Sequence, residues 1–205
     1  MGNYHYIIAG LPDIVLSADN RSFSYDALKD GILISLTNLK DRRLVEWLEF
    51  GDTPDNLNAH FYRAALACKN SFISSYYKLD LEIRNRKVEF INKAQGESNV
   101  DKYKVFPAGY TPMELDASEN ELLNEIFGNS NILEKERLLD KFKWDYINTF
   151  NKYGDFNISV ILAFLAKGKL IDRWNKLDKD AGEEMFKRLV DEVRGTFNGI
   201  DLKNI

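Results

Sequence analysis

The sequence predicts an all-α protein of long antiparallel helices packed in two lobes, and three observations predict it. Gly and Pro are scarce, 12 and 4 among 205 residues, against roughly 7% and 5% in average usage, so tight turns are few and elements long. Apolar residues recur at spacings of three and four through most of the chain, the period of a helix buried along one face. The chain is 44% hydrophobic and 29% charged, which supplies a core at this length and excludes a disordered segment.

The elements follow in order. Tyr4 to Leu16, YHYIIAGLPDIVL, is rich in aromatic and β-branched residues and predicts an extended start, with Pro12 pushing Leu11 out of the helical region. Ser24 caps a helix carrying Leu28, Ile32, Leu36 and Leu39. A second helix with Leu44, Val45, Trp47 and Leu48 runs to Gly51. From Leu57 to Ala94 there is neither Pro nor Gly, which predicts one rod of roughly 55 Å at 1.5 Å per residue. Its buried stripe contains Phe61, Ala65, Cys68, Phe72, Tyr76, Leu79 and Ile83.

Gly96 to Pro112 gathers Gly, Ser, Asn and Pro and marks the main interruption. The chain therefore divides into an N-terminal helical lobe over 1–96, a linker or exposed loop over 97–117, and a C-terminal helical lobe over 118–205. Asp116 or Ser118 caps a short helix to Phe127, and Asn131 opens another that runs through Phe142 and Tyr146 to Phe150. Gly154 is the stop after it, Phe156 to Leu177 is the most apolar helix, and Glu183 to Phe197 is a final amphipathic one before a frayed end after Asn198.

Charge and motif content narrow the function. A formal net charge of -4 disfavours broad binding to phosphate backbones or anionic lipid, so nucleic acid is an unlikely partner class. Cys68 has no cysteine to pair with, and no basic-then-apolar leader opens the sequence, which together predict a cytoplasmic protein. The stretch Ile158 to Leu170 is interrupted by Lys167 and Lys169 and is shorter than the roughly 20 residues of a bilayer span, so no direct membrane insertion is expected.

The glycines stand singly instead of in phosphate-binding runs, and His5 and His60 lie far apart outside any metal-ligand spacing. No G-x-S-x-G elbow occurs, and the carboxylates Glu119, Glu121, Glu125, Glu134 and Glu136 sit near helix starts where they complement the dipole. No catalytic, cofactor-binding or metal-binding residue is assigned, and no cofactor is expected. Arg84, Arg86 and Lys87 form a basic cluster that Asp80, Glu82 and Glu89 neutralise locally. Lys167 and Lys169 read either as snorkelling lysines or as interface residues. The 13% aromatic content exceeds what any visible chemistry needs, and Tyr and Trp favour protein interfaces as well as cores.

The opening YHYIIAGLPDI, with Tyr4, Tyr6, Ile7, Ile8, Ala9, Leu11, Pro12 and Asp13, resembles the start of a bacterial family of unknown function encoded within V-type ATP synthase operons. LEIRNRK around Arg84 and Asn85 and the late FNISVILAFLAKGKL are similar to features of that family. The resemblance implies a part of, or accessory to, a rotary V/A-type ATPase, similar to the stalk component called C, or d in eukaryotes, which couples the central shaft to the membrane ring. This chain is shorter, which implies two lobes in place of three.

The resulting expectation is a non-enzymatic adaptor that contacts other V-type ATPase subunits, the central shaft and the membrane ring, and sits peripherally at the inner membrane through that complex. The candidate contact residues are Tyr4, Tyr6, Pro12, Asp13, Arg84, Asn85, Lys167 and Lys169, each with a folding role also open to it. The alternative is a helical regulator or assembly factor binding protein or RNA, resting on the cluster from Arg84 to Lys87. An enzyme using carboxylate or tyrosine chemistry has no motif behind it.

Overall fold

The computed structural model describes residues 3–16, 22–96, 99–150 and 156–177. The expected stop at Gly154 and the helix from Glu183 to Phe197 with its frayed end lie outside them. Among the described residues the fold is all-α: α1 (Tyr4–Ala9), α2 (Tyr25–Ser35), α3 (Leu39–Gly51), α4 (Ala59–Leu66), α5 (Ser71–Ala94), α6 (Ala117–Gly128), α7 (Ile132–Asn148) and α8 (Ile158–Asn175). Short 3-10 turns cover Pro54–Asn56 and Val100–Tyr103. No helix among the described residues is long and apolar enough to cross a membrane.

Side-chain caps set most of the starts. Ser24 accepts from the Ala27 amide at 3.4 Å, and Asn131 accepts from Glu134 at 3.2 Å. Asp116 and Glu119 form a reciprocal capping box at the head of α6, which satisfies two amides that the first turn leaves without partners.

Three expectations are corrected. The start of the chain is helical instead of extended: Ile7 is buried and Tyr4, Ile8 and Leu11 pack on the same core, so tertiary burial overrides β-propensity over this short span. Leu39 does not continue α2, because Asn38 caps a new helix by accepting from the Lys40 amide at 2.9 Å. Leu39 is accordingly left 70% exposed. The Leu57–Ala94 rod is two helices. Asn70 accepts from the Ile73 amide at 3.0 Å to start α5, and its side-chain amide donates to Ser159 Oγ at 3.2 Å at the head of α8.

Packing crosses the 97–117 segment. The larger apolar cluster draws Tyr25 and Ile32 from α2, Leu48 from α3, Tyr62 from α4, Phe72 and Tyr77 from α5, and Ile161, Leu162 and Leu165 from α8. A smaller cluster joins Leu79 and Ile83 of α5 to Leu123 and Phe127 of α6 and Leu139 and Phe142 of α7. α8 touches α1, α2, α3, α5 and α7 and is buried on nearly every side from Ile161 to Ile171. That enclosure explains its apolar composition. Gly51 gives α3 a close approach to α4 and α5: a Cβ there would lie 2.2 Å from the Tyr77 hydroxyl and 2.7 Å from Phe61 Cζ.

The core is unusual in its tyrosines. Tyr25, Tyr62 and Tyr77 are almost fully buried. Their hydroxyls donate to Glu49, to Asp80 at 2.7 Å and to the Leu48 carbonyl at 3.2 Å. Burial, joined by neighbouring carboxylates, raises all three above the ordinary 10.0. Because the folded values exceed the unfolded ones, the stabilisation is complete below pH 10 and is lost as pH rises beyond it. Alkaline titration should therefore show phenolate absorbance appearing together with loss of helical circular dichroism. Full phenolate formation with the helices intact would contradict this.

Candidate functional site

Three places gather the polar side chains. The first is a cleft of about 250 Å³ between the end of α3 and helices α5, α7 and α8. The helical period places Tyr76 and Asp80 on one face of α5, and Asp140 and Lys143 on one face of α7. Asp80 accepts from Lys143 at 2.6 Å and, through its other oxygen, from Tyr62. Asp140 accepts from Arg173 and from Trp174 Nε1 on α8. Lys169 of α8 lies 3.2 Å from both Glu49 and Asp52 at the end of α3 and 4.5 Å from the Tyr25 ring centroid. Cross-helix ion pairs made by Lys143, Lys169 and Arg173 thus tie α3, α5, α7 and α8 around the cleft.

The half-buried Asp80 and the buried Asp140 respond oppositely to similar surroundings. Burial pushes Asp80 upward, but the Lys143 charge and the hydrogen bonds from Lys143 and Tyr62 outweigh it and hold the carboxyl below its ordinary value. At Asp140 burial prevails over Arg173 and Trp174, and the carboxyl is raised. Burial also pushes the Tyr76 hydroxyl up to about 12.

The second place is a clamp on α5. Glu82, Asn85 and Glu89 recur at helical spacing and hold the 99–116 segment along the helix, with Arg86 bracing Glu82. The Asn85 side chain donates to the Val105 carbonyl at 2.9 Å and accepts from the Val105 amide at 2.8 Å, so it pairs with the backbone as a neighbouring strand would. Glu82 accepts from the Tyr110 hydroxyl at 2.6 Å, the Met113 amide at 3.1 Å and Arg86 Nε at 2.6 Å. Lys104 donates to Glu89 at 2.8 Å. Asn85→Ala leaves both Val105 groups without these partners and should cost about 1–3 kcal/mol. Urea unfolding would measure the loss, and faster hydrogen exchange at Val105 would locate it.

The third place is the surface at α1. Tyr6 is 73% exposed, Pro12 and Asp13 face solvent, and Val15 is 65% exposed. Nearby, His5 stacks on Phe156 with ring centroids 4.0 Å apart.

The sequence-predicted contact residues divide accordingly. Tyr6, Pro12 and Asp13 are displayed. Tyr4 donates to Asp41 at 2.7 Å, and Arg84 donates to the Leu57 carbonyl at 2.7 Å. Lys167 is buried, bonded to Asn148 and 5.0 Å from the Trp144 ring centroid, and burial lowers its pKa. Asn85 belongs to the clamp and Lys169 to the cleft. Sequence reasoning passes over Asp140 and Lys143, and it reads Asp80 only as a neutraliser of the basic cluster, where the structure pairs it with Lys143 and Tyr62. A usable signal exists for Asp80, an acidic residue one helical turn after Tyr76 and next to Leu79 in the buried stripe.

A family model described as a protein of unknown function (DUF2764) matches residues 114–196, a stretch that takes in α6, α7 and α8. It includes the FNISVILAFLAKGKL motif and begins after YHYIIAGLPDI and LEIRNRK. No curated protein and no solved structure matches the chain.

Proposed function

We propose that this chain is a non-enzymatic adaptor of a V-type rotary ATPase, similar to the C component of the stalk, that links the central shaft to the membrane ring and is held peripherally at the membrane by that complex. The observation that carries the reading is how the motif from Tyr4 to Ile14 is divided. Tyr4, Ile7, Ile8 and Leu11 are anchored in the core, while Tyr6, Pro12 and Asp13 are presented to solvent. A motif that fixes one half of itself and displays the other suits a docking surface, because a rigid aromatic anchor binds with little ordering cost. The cross-helix ion pairs and the enclosed α8 suit a part that passes force between partners, since close-packed interiors resist deformation.

The RNA-binding alternative has no observation in its favour. Arg86 is engaged by Glu82 and Asn120, Arg84 by the Leu57 carbonyl, and Lys87 lies 3.5 Å from Glu136.

The adaptor reading is tested by purifying a tagged copy under conditions that preserve the ATPase. Head and ring subunits should co-purify, and Tyr6→Ala with Asp13→Ala should deplete them without changing the unfolding temperature. Consistent absence of ATPase subunits from the wild-type preparation would sink the proposal.

A further inference from the structure

An open groove of about 530 Å³ runs between α2 and α3, and among the described residues only these helices and the turn after α3 line it. Leu33, Val45 and Phe50 supply its apolar walls, and Phe50 is 53% exposed. Lys29, Glu46 and Glu49 edge it. The chain leaves α8 beside this groove. Lys169, two turns before the end of α8, lies 3.2 Å from Glu49 on the groove edge. The Lys176 charge interacts first with Asp172, then with Asp26 at the head of α2 and Asp52 just after α3. Leu177 follows and is 57% exposed. Beyond the described residues, the sequence from Glu183 to Phe197 has a helical apolar stripe of Phe186, Leu189, Val190, Val193 and Phe197. An amphipathic stretch of that kind gains its stability by burying the stripe on a neighbour.

We propose that the groove between α2 and α3 is the seat of this chain's own segment 183–197, which lays its stripe against Leu33, Val45 and Phe50. The residues 178–182 reach up to about 17 Å when extended, which serves the passage from α8 to the Asp26 and Asp52 end of the groove. The wall from Val45 to Phe50 is about 8 Å long at 1.5 Å per residue, which seats Phe186, Leu189 and Val190. Lys187 and Arg194 border the stripe, and the groove edge meets them with Glu46 and Glu49. Tethering through so few residues gives the segment an effective concentration on the order of millimolar, which a diffusing partner does not match. The inference does not depend on the adaptor reading, because it concerns the groove between α2 and α3 and not the α1 surface.

The test is amide NMR on the isotope-labelled full chain carrying Cys68→Ala and Asp191→Cys, with a nitroxide attached at position 191, on the side of the segment away from its stripe. The expected result is line broadening, reversed by ascorbate, centred on α2 and α3 at the groove, from Lys29 to Leu33 and from Val45 to Phe50. Mixing isotope-labelled chain that lacks the nitroxide with unlabelled chain that carries it should give no broadening, since the contact lies within one chain. Phe50→Asp changes an exposed side chain and Leu189→Asp changes only the guest. Each should remove the broadening. Absence of broadening in the first sample, broadening centred on other helices, broadening in the mixed sample, or broadening that survives both substitutions would overturn the proposal.

Discussion

Gly51→Ala is expected to destabilise the protein by about 3 kcal/mol or more, the upper end of what overpacking costs. The added Cβ would sit 2.2 Å from the Tyr77 hydroxyl, 2.5 Å from its Cζ and 2.7 Å from Phe61 Cζ. Neither ring has room to retreat. Tyr77 is 2% exposed, packs edge-on against Phe61 at 4.8 Å and holds its hydroxyl against the Leu48 carbonyl. α3 would have to move off α5, weakening the Lys169 contacts with Glu49 and Asp52 near its end. Chemical denaturation gives the loss directly. A Tyr77→Leu background should shrink the penalty, since contacting residues couple by roughly 0.5–3 kcal/mol in double-mutant cycles. A Gly51→Ala variant as stable as the parent would show that α3 approaches α5 less closely than these distances require.

Asp80→Asn is expected to cost about 3 kcal/mol, the low end of the penalty for stranding one partner of a buried ion pair, because this pair is half-buried. The Asp80 and Lys143 side chains are 17% and 22% exposed, and the pair joins α5 to α7 at 2.6 Å. Asp80 is held below its ordinary 3.8 in the folded protein, so its stabilisation is present above that value and is lost as pH falls through the folded pKa. Asp140→Asn should cost less. Its carboxyl is raised by burial, so folding favours its charged form less than that of Asp80, its partner Arg173 is 47% exposed and open to water, and an amide oxygen still accepts from Trp174. Equal destabilisation by the two substitutions would refute the distinction, as would an acid transition in the wild type that Asp80→Asn leaves unchanged.

These two sites differ in how far the sequence announces them. Gly51 is readable as the end of a helix, but its role as a contact point is not, because Tyr77 approaches it from another helix. Lys143 lies 63 positions from Asp80, and no local pattern links residues that distant. Caps are the most legible features: Ser24, Asp116 and Asn131 act where short polar side chains before apolar periodicity predict. The break before α5 escapes a reading of breakers because it uses neither Gly nor Pro. Its only mark is Asn70, a good capping residue that an uninterrupted apolar stripe conceals. α1 is equally hidden, because six residues form a helix only when a neighbour holds them.

The enclosure of α8 has a consequence for how the chain is made. α1, α2, α3 and α5 bury part of their apolar surface only against α8. A ribosome synthesising about 5–20 residues per second needs roughly 4–16 s to add the 80 or so residues between the end of α5 and the end of α8. During that interval the first five helices have left the tunnel with an open seam lined by Tyr25, Ile32 and Leu48. Chaperone occupancy of the nascent chain should peak there and fall once Asn175 emerges.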